Sequence, residues 1–155
     1  MARLAALPGI VGVKDATADL ARPLDTRVAI GPDFCMLSGE DATAVAFLAQ
    51  GGDGCISVTA NVAPKLCAEM HDAWQAGDLE TVTRCNDTLM PLHLALFAET
   101  SPGPVKYAAS LLRLCSEECR PPLYAISDQT KAMVRRAMDG AGLLPQPRAV
   151  EGALP

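Results

Sequence analysis

Three short apolar runs constrain the fold of this chain more than any other feature: "IVGVK" at residues 10–14, "FCML" at 34–37 and "CISV" at 55–58. None alternates apolar with polar residues, so each predicts a strand buried on both faces. The stretches between them, "ATADLARPLDTRVAIG" and "DATAVAFLAQGG", carry helical patterns, and another helix begins around "NVAPKLCAEM". Strand and helix alternating in this order predict an α/β fold with a parallel sheet covered by helices. Each strand closes on polar, charged or glycine residues before the next helix. In parallel α/β folds those carboxyl ends carry the ligand site.

The helix limits are written in the capping residues. Pro23 is tolerable only in the first turn of its helix. Asp41 opens the next helix, and the Gly51-Gly52 pair closes it. Pro64 stands near the start of a third, in which Leu66, Met70 and Trp74 share an apolar face. Beyond residue 77 the period changes to purely helical. Residues 79–97, capped by Asp78, place Val82, Cys85, Leu89, Leu92 and Leu96 at spacings of three and four. "SPGPVKYAASLLRLC" predicts a helix with Pro104 in its first turn and Val105, Ala108, Leu112 and Cys115 along one face. "SDQTKAMVRRAMDGAG" predicts another, capped by Ser127, with Lys131, Arg135 and Arg136 outside. Trp74 and Phe97 read as packing anchors. The chain thus divides into residues 1–76, a helical region over 77–144 and a frayed tail over 145–155.

Three parallel strands cannot close a barrel, and as an open sheet they leave "IVGV" as an uncovered apolar edge. The pattern reads as the C-terminal part of a larger architecture, with a small three-stranded α/β domain as the alternative.

Composition narrows the function. The 155 residues carry a formal net charge of -5 and no block of Lys and Arg, which argues against a nucleic-acid partner. No run approaches the about 18 apolar residues that span a bilayer, and "MARLAALPG" is too short for an ordinary signal peptide. The six cysteines form no C-x-x-C pair, and His71 and His93 are isolated. Free thiols in a reducing compartment, the cytoplasm, are the expectation, with no metal and no cofactor. No G-x-S-x-G, G-x-x-x-x-G-K-[ST] or G-x-G-x-x-G motif is present, so serine hydrolase, P-loop and dinucleotide readings fall away.

Lys14, at the end of the first strand, is the leading candidate for chemistry. A lysine amine in apolar surroundings becomes a nucleophile whose characteristic product is an imine with a carbonyl substrate. The competing reading is an ion pair with Asp15 or Asp41 that orients the strand ends. After the second strand, Gly39 lets backbone approach a ligand closely, while Glu40 and Asp41 suit the positive end of a helix. Ser57, Thr59 and Asn61 bring polar groups to the end of the third strand, most simply as loop and cap residues. Lys106 reads as a contact between elements, and Tyr107 and Tyr124 as structural.

"GIVGVKDATADL", "LSGEDATAVAFLAQGGDGCISVTANVAP" and "LMPLHLALFAETSPGPVKYAASLL" together resemble the C-terminal half of the dihydrodipicolinate synthase family, pyruvate-dependent class I aldolases of lysine biosynthesis. "GVKDAT" and "SGED" are similar to patterns of the broader group that includes sialic-acid and keto-sugar-acid lyases. "ISVTANV" with "ETSPGPVK" resembles the synthase branch. The resemblance implies a partial (β/α)₈ TIM barrel, strands six to eight, followed by three C-terminal helices. It implies that Lys14 forms the Schiff base, that Gly39 lines the pocket, and that Ile56 offers its main-chain carbonyl beside bound pyruvate.

The implied partners are pyruvate and a small aldehyde, aspartate semialdehyde, in a homo-oligomer, the family's tetramer. The proton-relaying hydroxyls, the carboxylate-binding loop and the aldehyde-binding arginine belong to the family's first half, absent from these 155 residues. The isolated chain is therefore expected to be inactive or nearly so, complemented by an N-terminal half. A non-catalytic remnant serving as an interaction partner is the alternative from a different class.

Overall fold

The computed structural model describes residues 1–144. A short helix α1 (Ala2–Ala5), which the sequence pattern does not predict, precedes strand β1 (Gly12–Asp15). Then follow α2 (Arg22–Ile30), β2 (Cys35–Ser38), α3 (Ala44–Ala49), β3 (Gly54–Cys55), a 3-10 turn (Thr59–Asn61) and α4 (Pro64–Ala76). Three further helices follow, α5 (Leu79–Leu96), α6 (Gly103–Leu111) and α7 (Asp128–Gly140). The predicted tail over 145–155 lies outside the described residues.

The sheet is parallel, in the order β1-β2-β3. Gly12 pairs with Cys35, Lys14 with Leu37, and Ser38 with Cys55. Gly12 is required by a close approach of backbone: a Cβ there would stand 2.7 Å from the Cys35 carbonyl oxygen. The strands begin and end one or two residues away from the apolar runs, and β3 is the largest departure. Only Gly54 and Cys55 remain in the ladder, and Ile56, expected inside a buried strand, is 48% exposed.

The strands are also not buried on both faces. On one face Phe34 and Met36 pack with Phe47 of α3 and with Val13, Leu20 and Ile30. On the other, Gly12, Lys14, Cys35 and Leu37 line an open cleft. An eight-stranded barrel turns that second face inward, which is why such a strand can be apolar throughout.

The larger core lies in the helices. Val62, Ala63, Cys67, Met70 and Ala73 from the α4 region join Val82, Cys85, Leu89, Leu92 and Leu96 of α5, and Val105, Ala108, Val134 and Met138 complete it. Asp78 caps α5 by accepting from the Thr81 N–H at 3.1 Å, and Ser127 caps α7 through Thr130 at 3.2 Å. Gly51, at φ 88, closes α3, with the Gly52 N–H reaching back to Phe47.

Two expected anchors fall outside this core. Phe97 caps the end of α5 and is 45% exposed, and Cys115 lies past the end of α6 and is exposed. In both cases the helix stops before its apolar period does. Leu112, the cap of α6, is half-buried against the core, as is Trp74. Lys131 is less free than an outside position implies, since it pairs with Glu117 at 2.8 Å and lies over the Tyr107 ring.

Candidate active site

Parallel pairing carries the three candidate residues to one end of the sheet. Lys14 stands opposite Leu37, and the Gly39 N–H donates to the Asp15 carbonyl at 2.7 Å. The Ile56 N–H donates to the Ser38 carbonyl at 2.8 Å. Lys14, Gly39 and Ile56 therefore stand at one end of three consecutive strands, with β2 between Lys14 and Ile56, although 42 positions separate the first and last of them in sequence.

The side chain of Lys14 is exposed and runs across Gly39. A Cβ at Gly39 would lie 2.6 Å from Lys14 Cε and 2.8 Å from Ala16 Cβ. The stem of the lysine thus occupies space that any other residue at position 39 would fill. Lys14 also borders a cleft of about 360 Å³, shared with Ile10, Val11, Gly12, Cys35 and Leu37. A cleft of about 400 Å³ in the helical half, against Leu111, Arg135, Arg136 and Asp139, offers cations but no nucleophile.

Neither carboxylate of the competing reading holds Lys14 in an ion pair among the described residues. Asp15 accepts from the Thr17 N–H and hydroxyl at 2.9 and 2.6 Å and pairs with Arg22 at 2.9 Å. Burial pushes its carboxyl up, but the Thr17 hydrogen bonds and the Arg22 guanidinium outweigh this and hold it below the ordinary value. Asp41 is buried and engaged by the segment after β3. It accepts from the Ser57 hydroxyl, from Val58 N–H at 2.8 Å and from Thr59 N–H at 3.3 Å.

Asp41 therefore does not cap α3, contrary to the sequence pattern. Thr43 is the capping residue, with no side-chain cap bond, and Glu40 holds the turn before it, accepting from Ala42 N–H, Thr43 N–H and the Thr43 hydroxyl at 3.2, 2.7 and 2.8 Å. Of the polar trio after β3, Asn61 is a loop residue bonded to the Val58 carbonyl. Ser57 and Thr59 join the Asp41 network. Lys106 donates to the Glu118 carbonyl, and Tyr124 is 82% exposed. Among the described residues all six cysteines are free thiols. Burial, with Asp41 nearby, pushes the Cys55 and Cys67 thiols up to about 12 and about 11, so neither is poised as a nucleophile. Among the described residues no group of three or more His, Cys, Asp or Glu could hold a metal ion, and no helix is long and apolar enough to cross a membrane.

His93, isolated in the sequence, has a partner in the structure. It is 2% exposed, with Nδ1 2.7 Å from the hydroxyl of fully buried Thr59, while Nε2 meets no partner among the described residues. The available signal was its position on the apolar face of α5, between Leu92 and Leu96, where an unpartnered polar group is costly.

Burial pushes the His93 imidazole below its ordinary value of 6.5, against the opposing pull of Asp41 and Glu40. The unfolded chain then takes up the proton more readily than the folded one. Stability is complete above pH 6.5 and declines as the pH falls from there towards the folded value. His93→Asn is expected to flatten this decline, which is at most about 1.4 kcal/mol per pH unit. Urea melts of both proteins between neutral and mildly acidic pH check it, and parallel curves would refute it.

Gly39→Val tests the packing under Lys14. The new side chain must displace the lysine stem or the Ala16 backbone, and a shift near 1 Å can cost about 100-fold in a positioned reaction. The variant is expected to slow reductive capture of the Lys14 amine by a small carbonyl compound about 10- to 100-fold, with a melting temperature close to that of the parent.

A profile of the Dihydrodipicolinate synthetase family matches residues 1–141. The 4-hydroxy-tetrahydrodipicolinate synthase of Rhodospirillum centenum is 69% identical over 144 residues, covering 93% of this chain and 50% of that protein. The dihydrodipicolinate synthase structure from Thermotoga maritima superposes with a TM-score of 0.85 at 38% identity, over 92% of this chain and 50% of the other. A chloride-inhibited dihydrodipicolinate synthase from Acinetobacter baumannii, complexed with pyruvate, gives the same TM-score of 0.85 and 38% identity, over 92% and 49%. The chain spans about half the length of the relatives it matches. With the sequence match running through both the sheet and the helical half, the chain belongs to the dihydrodipicolinate synthetase family.

Proposed function

We propose that this chain carries the Schiff-base half of a pyruvate-dependent lyase, in which Lys14 condenses with pyruvate and the adduct reacts with aspartate semialdehyde. The observation that supports this most is Lys14 itself. It stands at a carboxyl strand end, free of ion pairs among the described residues, with its stem laid over Gly39 beside an open cleft.

In this reading the Lys14 amine attacks the ketone carbon of pyruvate, and loss of water gives a protonated imine. The imine nitrogen draws electrons from the methyl carbon, which loses a proton to give the enamine. The enamine carbon bonds to the aldehyde carbon of the second substrate. The amino group of that substrate then attacks the imine carbon, closing the ring and releasing the Lys14 amine with 4-hydroxy-tetrahydrodipicolinate. The Ile56 carbonyl, which accepts no hydrogen bond among the described residues, is assigned the part of a fixed dipole at the same end of the sheet as the lysine. Proton relay and aldehyde recognition are assigned to the half of the relatives' length that this chain does not span. The working assembly is accordingly a barrel completed by that half, in a homo-oligomer.

Pyruvate with borohydride, followed by intact mass and peptide mapping, tests the reading. One reduced adduct on Lys14 is expected, and an unmodified Lys14 under saturating pyruvate overturns it. Condensation by the 155-residue chain alone is expected at no more than trace rates; turnover comparable to that of a full-length relative would contradict the division of labour.

A further inference from the structure

A buried polar chain, Asp41–Thr59–His93, ties the end of β3 to both β2 and α5. Asp41 sits just past β2 and is 4% exposed, yet Glu40 rather than Asp41 holds the turn that leads into α3. Its carboxylate instead crosses to the Ser57 hydroxyl and to the N–H groups of Val58 and Thr59. Ser57 Oγ in turn accepts from the Ala60 N–H at 2.8 Å. Thr59 is 0% exposed, and its hydroxyl meets His93 Nδ1 on α5 at 2.7 Å.

The segment from Ile56 to Thr59 is thus gripped on both sides. At its start the Ile56 N–H is bonded to Ser38, and at its end Asp41 and His93 hold the next three residues. These bonds end β3 after two residues and turn the chain away from the ladder. The Ile56 carbonyl is left without an acceptor role among the described residues, at the same end of the sheet as Lys14 with β2 between them.

We infer that Asp41, Thr59 and His93 are positioning residues for the pyruvate site, fixing the Ile56 carbonyl through the loop that follows it. This rests on the assignment of pyruvate to Lys14 and Ile56. None of the three touches the reacting atoms. Their effect is on how tightly pyruvate is held and how well the lysine is oriented, rather than on whether an imine can form. A fully buried threonine hydroxyl is the link best tested, because valine keeps its shape and serine keeps its bond.

The test compares the parent chain with Thr59→Val and Thr59→Ser by two readings. One is the pyruvate concentration that gives half-maximal borohydride capture at Lys14. The other is hydrogen exchange at the Val58 and Thr59 amides relative to Leu89 and Leu92 in α5. Thr59→Val is expected to raise the half-maximal concentration about tenfold with the plateau unchanged, and to speed exchange in the loop about tenfold with α5 unaffected. Thr59→Ser is expected within about twofold of the parent in both. Unchanged capture and unchanged loop exchange in Thr59→Val overturn the inference, as does a change shared equally by α5. If the parent chain captures no pyruvate, the assignment of the site fails on its own, and loop exchange alone decides whether Thr59 holds the segment. Should Thr59→Val not fold, Asp41→Asn is read in the same way, with the same outcomes deciding.

Discussion

Replacing Lys14 by arginine is expected to abolish covalent capture of pyruvate by this chain while leaving its melting temperature nearly unchanged. Arginine keeps the positive charge and a long stem that can lie over Gly39, but its guanidinium stays protonated and forms no imine under these conditions. The competing role for Lys14, orienting strand ends by pairing with Asp15 or Asp41, predicts the opposite result. An ion-pairing role would tolerate arginine, and in any case both carboxylates are engaged elsewhere. The other lysines provide internal controls. Lys131 is paired with Glu117, Lys106 is bonded to the Glu118 carbonyl, and Lys65 stands in the first turn of α4. Peptide mapping after borohydride treatment should find modification at Lys14 in the parent and no more than the common surface background at those sites in the variant. Equal trapping in parent and variant would remove Lys14 from the mechanism.

How much of this site can be read without coordinates depends on how local its causes are. The strands announce themselves because a continuous apolar run has few other uses, and Lys14 stands out because it ends one. Gly39 is legible as a site of close approach, although what approaches is the lysine stem itself. Asp41 departs from the sequence pattern for a physical reason. An aspartate before a helix is ordinarily its cap, and nothing local reveals that Glu40 holds the turn before α3 while Asp41 reaches residues 16–18 positions away.

The same contact explains the short β3. "CISV" has the residues of a strand, but side-chain bonds to the backbone of Val58 and Thr59 compete with the ladder and win. His93 carried a weaker signal, a polar ring on the apolar face of α5. Its partner Thr59 is 34 residues earlier, and no pattern of spacing would pair them. The buried faces of the sheet show another limit. Continuous apolar strands predict burial on both faces, whereas here the cleft side stays open, so the pattern reflects the architecture of the family rather than of these residues alone.

Leu92→Ala is expected to be the most damaging of the stability variants, because the molecule's packing is unevenly divided. Among the described residues the sheet's own cluster has three buried members, Phe34, Met36 and Phe47, none of them at 0% exposure. The helical cluster runs from Val62 to Met138 and contains Cys85, Leu89, Leu92, Ala95 and Leu96 of α5 at 0% exposure. A leucine removed there leaves a cavity that α4, α6 and α7 cannot readily close, since each is anchored on the same helix or its neighbour. The expected cost is about 2–5 kcal/mol, a large share of the about 5–15 kcal/mol that keeps an ordinary domain folded. In melting temperature this is on the order of 10 °C. Met36→Ala removes a side chain of similar size from the sheet cluster, beside an edge strand with no partner on one side. That region can open without the helical core, so the same truncation should speed exchange in β1 and β2 while lowering the melting temperature less. Equal losses from the two variants would show that sheet and helices unfold as one unit. A larger loss from Met36→Ala would mean that the sheet, not α5, is the keystone of the fold.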